Sequence, residues 1–228
     1  VLKILSEDIL KVEEGEMLEV EVQEDLLEAN KRLAEANKKI FDKHGIKVID
    51  VMGSIGSGKT SLIEEIVKKV KDKYKIAMIA GDVTTRIDAD RVARHGVQTL
   101  QINTGKECHL DALMIKKALS KLDLKNLNLI FIENVGNLIC PADFPLGAHE
   151  RLVVVSVTEG PYTVRKHPYI FMDANVIAIN KADLAEAMNV NIEELIKDAK
   201  SINSKCEIVV TSAKTGEGIE KLIKALKI

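Results

Sequence analysis

The stretch Gly53-Ser54-Ile55-Gly56-Ser57-Gly58-Lys59-Thr60 follows an apolar run from Ile46 to Met52 and fills every fixed position of the pattern G-x-x-x-x-G-K-S/T. Three glycines let successive backbone N–H groups turn inward on a β-phosphate, Lys59 reaches the β/γ oxygens, and Thr60 offers its hydroxyl to Mg²⁺. A helical pattern from Leu62 to Val70 follows. The loop, with Ser61 after it, would therefore open a helix whose positive dipole end faces the phosphates. A chance glycine-rich turn would lack the strand before it and the helix after it. These residues predict a site for a nucleoside triphosphate, while the base and the task are set elsewhere.

Outward from this loop, short apolar segments alternate with amphipathic ones. Strands are expected at Lys47 to Val51, Ile76 to Ala80, Thr99 to Ile102, Leu129 to Glu133, Leu152 to Ser156, Val176 to Asn180 and Ile208 to Thr211. Helices are expected at Leu62 to Lys73, Asp88 to His95, Leu110 to Lys121, Ile192 to Ile202 and Ile219 to Leu226. Many of the strands are apolar throughout, the pattern of parallel strands covered on both faces. The expected fold is α/β, a three-layer P-loop domain with a mostly parallel doubly wound sheet and its functional loops at the carboxyl ends of the strands.

Residues 1–44 read as an N-terminal helical extension and 45–228 as the P-loop domain. Leu26, Leu33 and Ile40 recur every seven residues beside Leu27, Ala34 and Phe41. They predict a helix from Glu24 to His44 whose apolar stripe packs on the domain or against a second chain. Before it, Leu18, Val20 and Val22 alternate with polar residues and suggest a short strand.

A chain of 228 residues, 46% apolar with four prolines, suffices for one domain with a substantial core. Its formal net charge of -2 gives no electrostatic basis for nucleic acid or an acidic membrane, and no apolar run approaches spanning length, so neither is an expected partner. The three cysteines, Cys108, Cys140 and Cys206, are an odd number without a signal-like start, which points to a reducing cytoplasm rather than a disulfide framework.

The base is indicated by Asn180-Lys181-Ala182-Asp183, which ends the strand from Val176 and resembles the N-K-x-D guanine motif of the GTPases. The Asp183 carboxylate can accept from both N1–H and the N2 amino group of guanine, donors that adenine does not offer in that geometry. By resemblance Asn180 ties the base to the neighbouring loop and the Lys181 stem covers the ring. Thr211-Ser212-Ala213-Lys214 resembles the supporting S-A-K loop, in which the Ala213 N–H would meet guanine O6. Either motif alone could be an ordinary turn. In this order after the phosphate loop they favour GTP over ATP.

Glu133 ends the apolar strand from Leu129, and Gly136 stands three residues on, where a γ-phosphate-sensing glycine belongs. A carboxylate at Glu133 would hold Mg²⁺ directly or through water. Glu in place of the commoner Asp resembles the branch of P-loop GTPases that includes metal-enzyme maturation factors. Asp82 and Asp88 are the other carboxylates placed to reach the metal or γ-phosphate. Asp82 is favoured by analogy with that branch, whereas Asp88 could equally cap the following helix within a first switch at Thr84 to Asp90. Asn137, not Gln, follows Gly136, so slow intrinsic hydrolysis is expected, rising with dimerisation or a partner.

Cys108-His109 and Cys140 form a soft-ligand set suited to Ni²⁺ or Zn²⁺ rather than to Mg²⁺. One chain offers only three such ligands here, so water, a backbone group or a second protomer would complete the sphere. Cys140 lies seven residues beyond Glu133, inside the segment that should respond to the γ-phosphate. The alternative is two core cysteines and a helix-start histidine, and spacing alone leaves it open. Cys206 reads as structural; among the remaining histidines, His149 and His167 are weaker candidates.

The runs Asn103-Thr104-Gly105-Lys106-Glu107-Cys108-His109-Leu110-Asp111-Ala112 and Phe131-Ile132-Glu133-Asn134-Val135-Gly136-Asn137-Leu138-Ile139-Cys140-Pro141 resemble the HypB family, GTPases that help insert nickel during maturation of [NiFe]-hydrogenases. The resemblance extends from about Asp25 to the C-terminus. It implies a GTP-dependent homodimer with Cys108, His109 and Cys140 as a nickel or zinc site near the dimer interface. It also implies work beside a second nickel-handling maturation protein and the hydrogenase large-subunit precursor. Residues 1–44 contain no Cys and one His, so they match neither the Cys-rich nor the His-rich nickel segments of some relatives. Alternatives are the urease accessory GTPase, whose Cys-x-His ligand pattern is not reproduced by Cys108-His109, and a nucleotide-gated interaction protein with structural zinc. A P-loop kinase is disfavoured by N-K-x-D.

Overall fold

The computed structural model describes residues 22–82 and 87–228, with side chains from Leu26 onward in the first helix. Its centre is a seven-stranded sheet of β1 (Lys47–Gly53), β2 (Ile76–Asp82), β3 (Gln98–Asn103), β4 (Leu129–Glu133), β5 (Glu150–Ser156), β6 (Val176–Asn180) and β7 (Glu207–Val210). Every pairing is parallel, in the order β3-β2-β4-β1-β5-β6-β7. The helices are α1 (Val22–His44), α2 (Lys59–Val70), α3 (Ile87–Ala93), α4 (Ala112–Leu119), α5 (Thr163–Lys166), α6 (Pro168–Met172), α7 (Ile192–Ile202) and α8 (Ile219–Ala225).

Alternation along each strand divides the core between the two faces of the sheet. Ile49, Val51, Met78 and Phe131 pack with α2, α3 and α8 on one face. On the other, Val48, Ile79 and Ile132 pack under α1 and α4, while Val153, Val155 and Ile177 pack under α5, α6 and α7. Each such fully buried side chain contributes about 1.5–3 kcal/mol, which is why the central strands read as unbroken apolar runs. β1 lies between β4 and β5, so its carboxyl end stands where the strand order reverses, the usual crevice for a ligand in an open α/β sheet.

The expected helices α3 and α4 are shorter, Ile87–Ala93 and Ala112–Leu119, and other expectations are corrected in detail. α2 begins at Lys59, earlier than the apolar pattern indicated, because Gly58 takes a left-handed φ of 97° and turns the chain directly into the helix; it ends at Val70 rather than Lys73. α5 and α6 are too short for helical periodicity to register. Of the strand expected over 18–23, residues 18–21 lie outside the described residues and Val22 opens α1 instead. The buried face of α1 is centred on Asn30, Ala34, Asn37 and Phe41, leaving Leu26 59% exposed. The two asparagines pin the helix: Asn30 Nδ2 donates to Pro145 O at 2.9 Å and its Oδ1 accepts from Ala112 N at 2.8 Å, while Asn37 Nδ2 donates to Ala112 O at 2.8 Å. The packing face is therefore part polar, which an apolar count misplaces.

Candidate functional site

The Gly53–Thr60 loop wraps the carboxyl end of β1. Gly58 has no room for a side chain, since a Cβ there would lie 2.3 Å from Asn180 Nδ2. That close approach lets Asn180 Nδ2 donate to Ser57 O at 2.9 Å and so tie the base-reading loop to the phosphate loop. Lys59 is buried and its Nζ donates to Ser54 O at 3.0 Å and Gly53 O at 3.3 Å. Burial pulls its pKa down, opposed mainly by Glu133. The Ser54 and Ser57 hydroxyls are buried without a hydrogen-bond partner.

A cavity of 430 Å³ opens above the loop, bordered by Lys59, Thr60, Asp82, Asp88, Glu133 and Gly136. Thr60 Oγ1 donates to Glu133 Oε1 at 2.8 Å, whereas Glu133 Oε2 is buried and unpartnered. Burial pushes the Glu133 pKa up to about 7, with Asp88 adding to the rise and Lys59 and Thr60 opposing it. A hydroxyl beside a buried carboxylate with one unpartnered oxygen is a donor set suited to Mg²⁺. Asp82 and Asp88 both border the cavity; Asp88 lies in the first turn of α3. Of the expected first switch, residues 84–86 lie outside the described residues.

A second cavity, of 370 Å³, is bordered by Asn180, Lys181, Asp183, Ala213 and Lys214. Asp183 Oδ1 accepts from Ser212 Oγ at 2.6 Å, which orients the carboxylate. Lys181 has a positive φ of 60° and its Nζ donates to Gly56 O at 2.7 Å, laying the stem across the groove. The Ala213 N–H, expected to meet guanine O6, donates instead to Asn180 Oδ1 at 3.2 Å. Asn180 thereby joins three loops.

The soft ligands also converge. Cys108 and His109 stand in the loop between β3 and α4, and Cys140 opens a short turn beyond β4. Their ligand atoms all lie within 4.8 Å of one another, the one such group of three found among the described residues. Cys108 Sγ is 2.8 Å from Cys140 Sγ and 3.8 Å from His109 Nδ1. The hydrogen bond to the Cys140 side chain raises the Cys108 pKa, with burial and then repulsion between the two sulfur charges adding to the rise. A cation would relieve that repulsion. Burial pulls the His109 pKa down, and its ring stacks on Phe144 at 3.8 Å, so the neutral imidazole a metal needs is favoured and held in place.

Two asparagines connect these regions: Asn134, which the sequence did not single out, and Asn137, noted there only as the residue that follows Gly136. Asn134 follows Glu133; its Oδ1 accepts from Leu110 N at 3.0 Å and its Nδ2 donates to Asp50 Oδ1 at 3.3 Å. Asn137 N donates to Gly53 O at 3.1 Å, and its side chain accepts from Ile139 N at 2.9 Å and donates to Cys108 O at 3.4 Å. Gly136 between them is pressed on Ile55 of the phosphate loop. The other cysteine and two of the histidines have structural surroundings: Cys206 is buried, His95 pairs with Glu64, and His149 accepts from Val48 N while facing Asp42.

A family model described as the CobW/HypB/UreG nucleotide-binding domain matches residues 47–210. The probable hydrogenase maturation factor HypB of Methanocaldococcus jannaschii is 52% identical over 91% of this chain and 94% of its own length. This chain belongs to the HypB family. The crystal structure of HypB from Archaeoglobus fulgidus superimposes with a TM-score of 0.82 at 48% identity, covering 88% of this chain and 98% of that one. HypB from Helicobacter pylori, solved in complex with nickel, gives 0.83 at 36% identity over 87% and 94% of the two chains. The family and the α/β fold read from the sequence are thus borne out.

Proposed function

We propose that this HypB-family chain is a cytoplasmic GTPase that couples GTP binding, hydrolysis and homodimerisation to delivery of nickel into the [NiFe]-hydrogenase large-subunit precursor, beside a second nickel-handling maturation protein. The observation that carries the reading is physical continuity between the nucleotide and soft-metal sites: Asn134 and Asn137 tie the end of β4 and the phosphate loop to the Cys108–Leu110 segment. The nickel complex of the Helicobacter pylori relative supports nickel as the cargo. Residues 45–228 would form the GTPase domain, with 1–44 as its extension.

In this reading Asn180 and Asp183 select guanine, with Lys181, Ser212, Ala213 and Lys214 shaping the base cavity. Residues Gly53 to Ser61 cradle the phosphates, and Lys59 stabilises charge on the β/γ oxygens. Thr60 and Glu133, with Asp82 or Asp88, would hold Mg²⁺, which supplies charge neutralisation between the phosphates. Gly136 senses the γ-phosphate through its contact with the phosphate loop. The Asn137 side chain is engaged with Ile139 and Cys108, consistent with slow intrinsic turnover. Cys108, His109 and Cys140 would hold Ni²⁺, or Zn²⁺ in its place.

Phosphate release from GTP and from ATP, together with Ni²⁺ titration of Cys140→Ala, tests these assignments. Slow turnover of GTP, none of ATP, and Ni²⁺ binding weakened by more than about tenfold with GTP affinity retained are expected, since even outer-shell partners of a metal are worth that much. Equal turnover of ATP would reject the base assignment, and an unaltered nickel isotherm the ligand assignment.

A further inference from the structure

The phosphate cavity and the base cavity share four bordering residues, Gly58, Ser61, Arg91 and Lys181. A nucleotide spanning both cavities must pass this boundary with its ribose and α-phosphate. Lys59 and Thr60 face the outer phosphates, and Ser61, the next residue of α2, stands on the base side of them. Gly58 has no side chain, and Lys181 is turned onto Gly56 O and Thr158 Oγ1. The cation fixed at the crossing is Arg91, which reaches over from α3.

Arg91 is held from three directions. Its Nη2 donates to Ser61 Oγ at 3.0 Å and to Glu64 Oε2, and its Nη1 lies 3.6 Å from Asp88 Oδ1. The other oxygen of Glu64 is 3.4 Å from His95 Nε2, so the carboxylate is itself braced. A planar guanidinium has five N–H donors and can keep a carboxylate on one edge while presenting another to a phosphate. An ion pair between α2 and α3 would need no cavity on either side; this one borders both.

We propose that Arg91 binds the α-phosphate of the guanine nucleotide, with Glu64 as the positioning residue that aims it. The proposal rests on the nucleotide-binding reading above and adds a contact outside the phosphate loop. GDP and GTP carry the same α-phosphate, so Arg91 contributes equally to both affinities. It anchors the nucleotide through the cycle rather than sensing the γ-phosphate.

Equilibrium binding of GDP and a non-hydrolysable GTP analogue to wild type, Arg91→Ala, Arg91→Lys, Glu64→Ala and the Arg91→Ala/Glu64→Ala double variant tests it, with circular dichroism confirming folding. Arg91→Ala is expected to weaken both nucleotides alike, by about 10- to 100-fold, the range of a hydrogen bond to a charged group. Arg91→Lys recovers part of the loss. Glu64→Ala weakens wild type but adds less than about twofold in the Arg91→Ala background, as two residues acting through one contact require. Loss confined to the GTP analogue, or GDP affinity within about twofold of wild type, overturns the assignment; independent effects of the two substitutions overturn the role of Glu64. If wild type binds neither nucleotide, the nucleotide reading itself fails; if it binds both and Arg91→Ala binds them equally well, only the Arg91 assignment fails.

Discussion

Asp50 is fully buried in the middle of β1, on the face beneath α1, with one carboxylate oxygen accepting from Asn134 and the other without a partner. Burial raises its pKa from an ordinary 3.8 to about 6, against the lowering effects of the Arg151 charge and the Asn134 hydrogen bond. Between these values the native state binds more protons than the unfolded chain, so this contribution to stability is fully present below 3.8 and is lost as pH rises through 6. The rise corresponds to about 3 kcal/mol, at 1.36 kcal/mol per pH unit. Asp50→Asn keeps the acceptor for Asn134 and removes the charge. Urea unfolding of both proteins from pH 4 to pH 8 should therefore show the variant gaining about 2.4 kcal/mol relative to wild type across that interval, the rest being lost below pH 4, then a level difference above pH 7. A difference constant to within about 0.5 kcal/mol across the whole range would refute the reasoning, because a buried carboxyl that ionises without penalty cannot be desolvated as this one is.

Asp183→Asn replaces an acceptor for two guanine donors by a group with one acceptor and an opposed donor. GDP affinity should fall by about a hundredfold or more while ADP affinity stays negligible, measured by competition; retained GDP binding would remove Asp183 from base reading. Gly136→Ala would place a Cβ 2.4 Å from Ile55 Cγ1 and 2.9 Å from its Cα and N, forcing the switch away from the phosphate loop. Overpacking of about 1–3 kcal/mol should lower the melting temperature by several degrees; an unchanged transition would show that the contact yields without penalty.

Much of the nucleotide site was legible because its chemistry lies in short contiguous runs. Gly53 to Thr60 needs one turn between one strand and one helix, and Asn180 with Asp183 needs the end of one strand. Cys108, His109 and Cys140 were legible as a set of soft ligands, but the 2.8 Å approach of the two sulfurs depends on the parallel strands β3 and β4 delivering their loops to the same carboxyl end of the sheet. Asn134 was hidden because its role is to satisfy Leu110 N and Asp50 at once, a long-range arrangement with no local pattern. The same holds for Asn30 and Asn37, where hydrogen bonds to the 112 and 145–146 backbone set the buried face of α1 in place of the leucines that periodicity favoured. Asp82 and Asp88 were an open choice in the sequence, and both border the phosphate cavity.

The coupling of nucleotide state to soft-metal binding is tested most directly by Ni²⁺ titration of the protein loaded with GDP and then with a non-hydrolysable GTP analogue, with molecular mass followed throughout. Different nickel affinities in the two states, with a dimer favoured by the GTP analogue, are predicted. Equal affinities and one monomeric mass in both states would contradict the coupling and leave Cys108, His109 and Cys140 as a metal site independent of the switch.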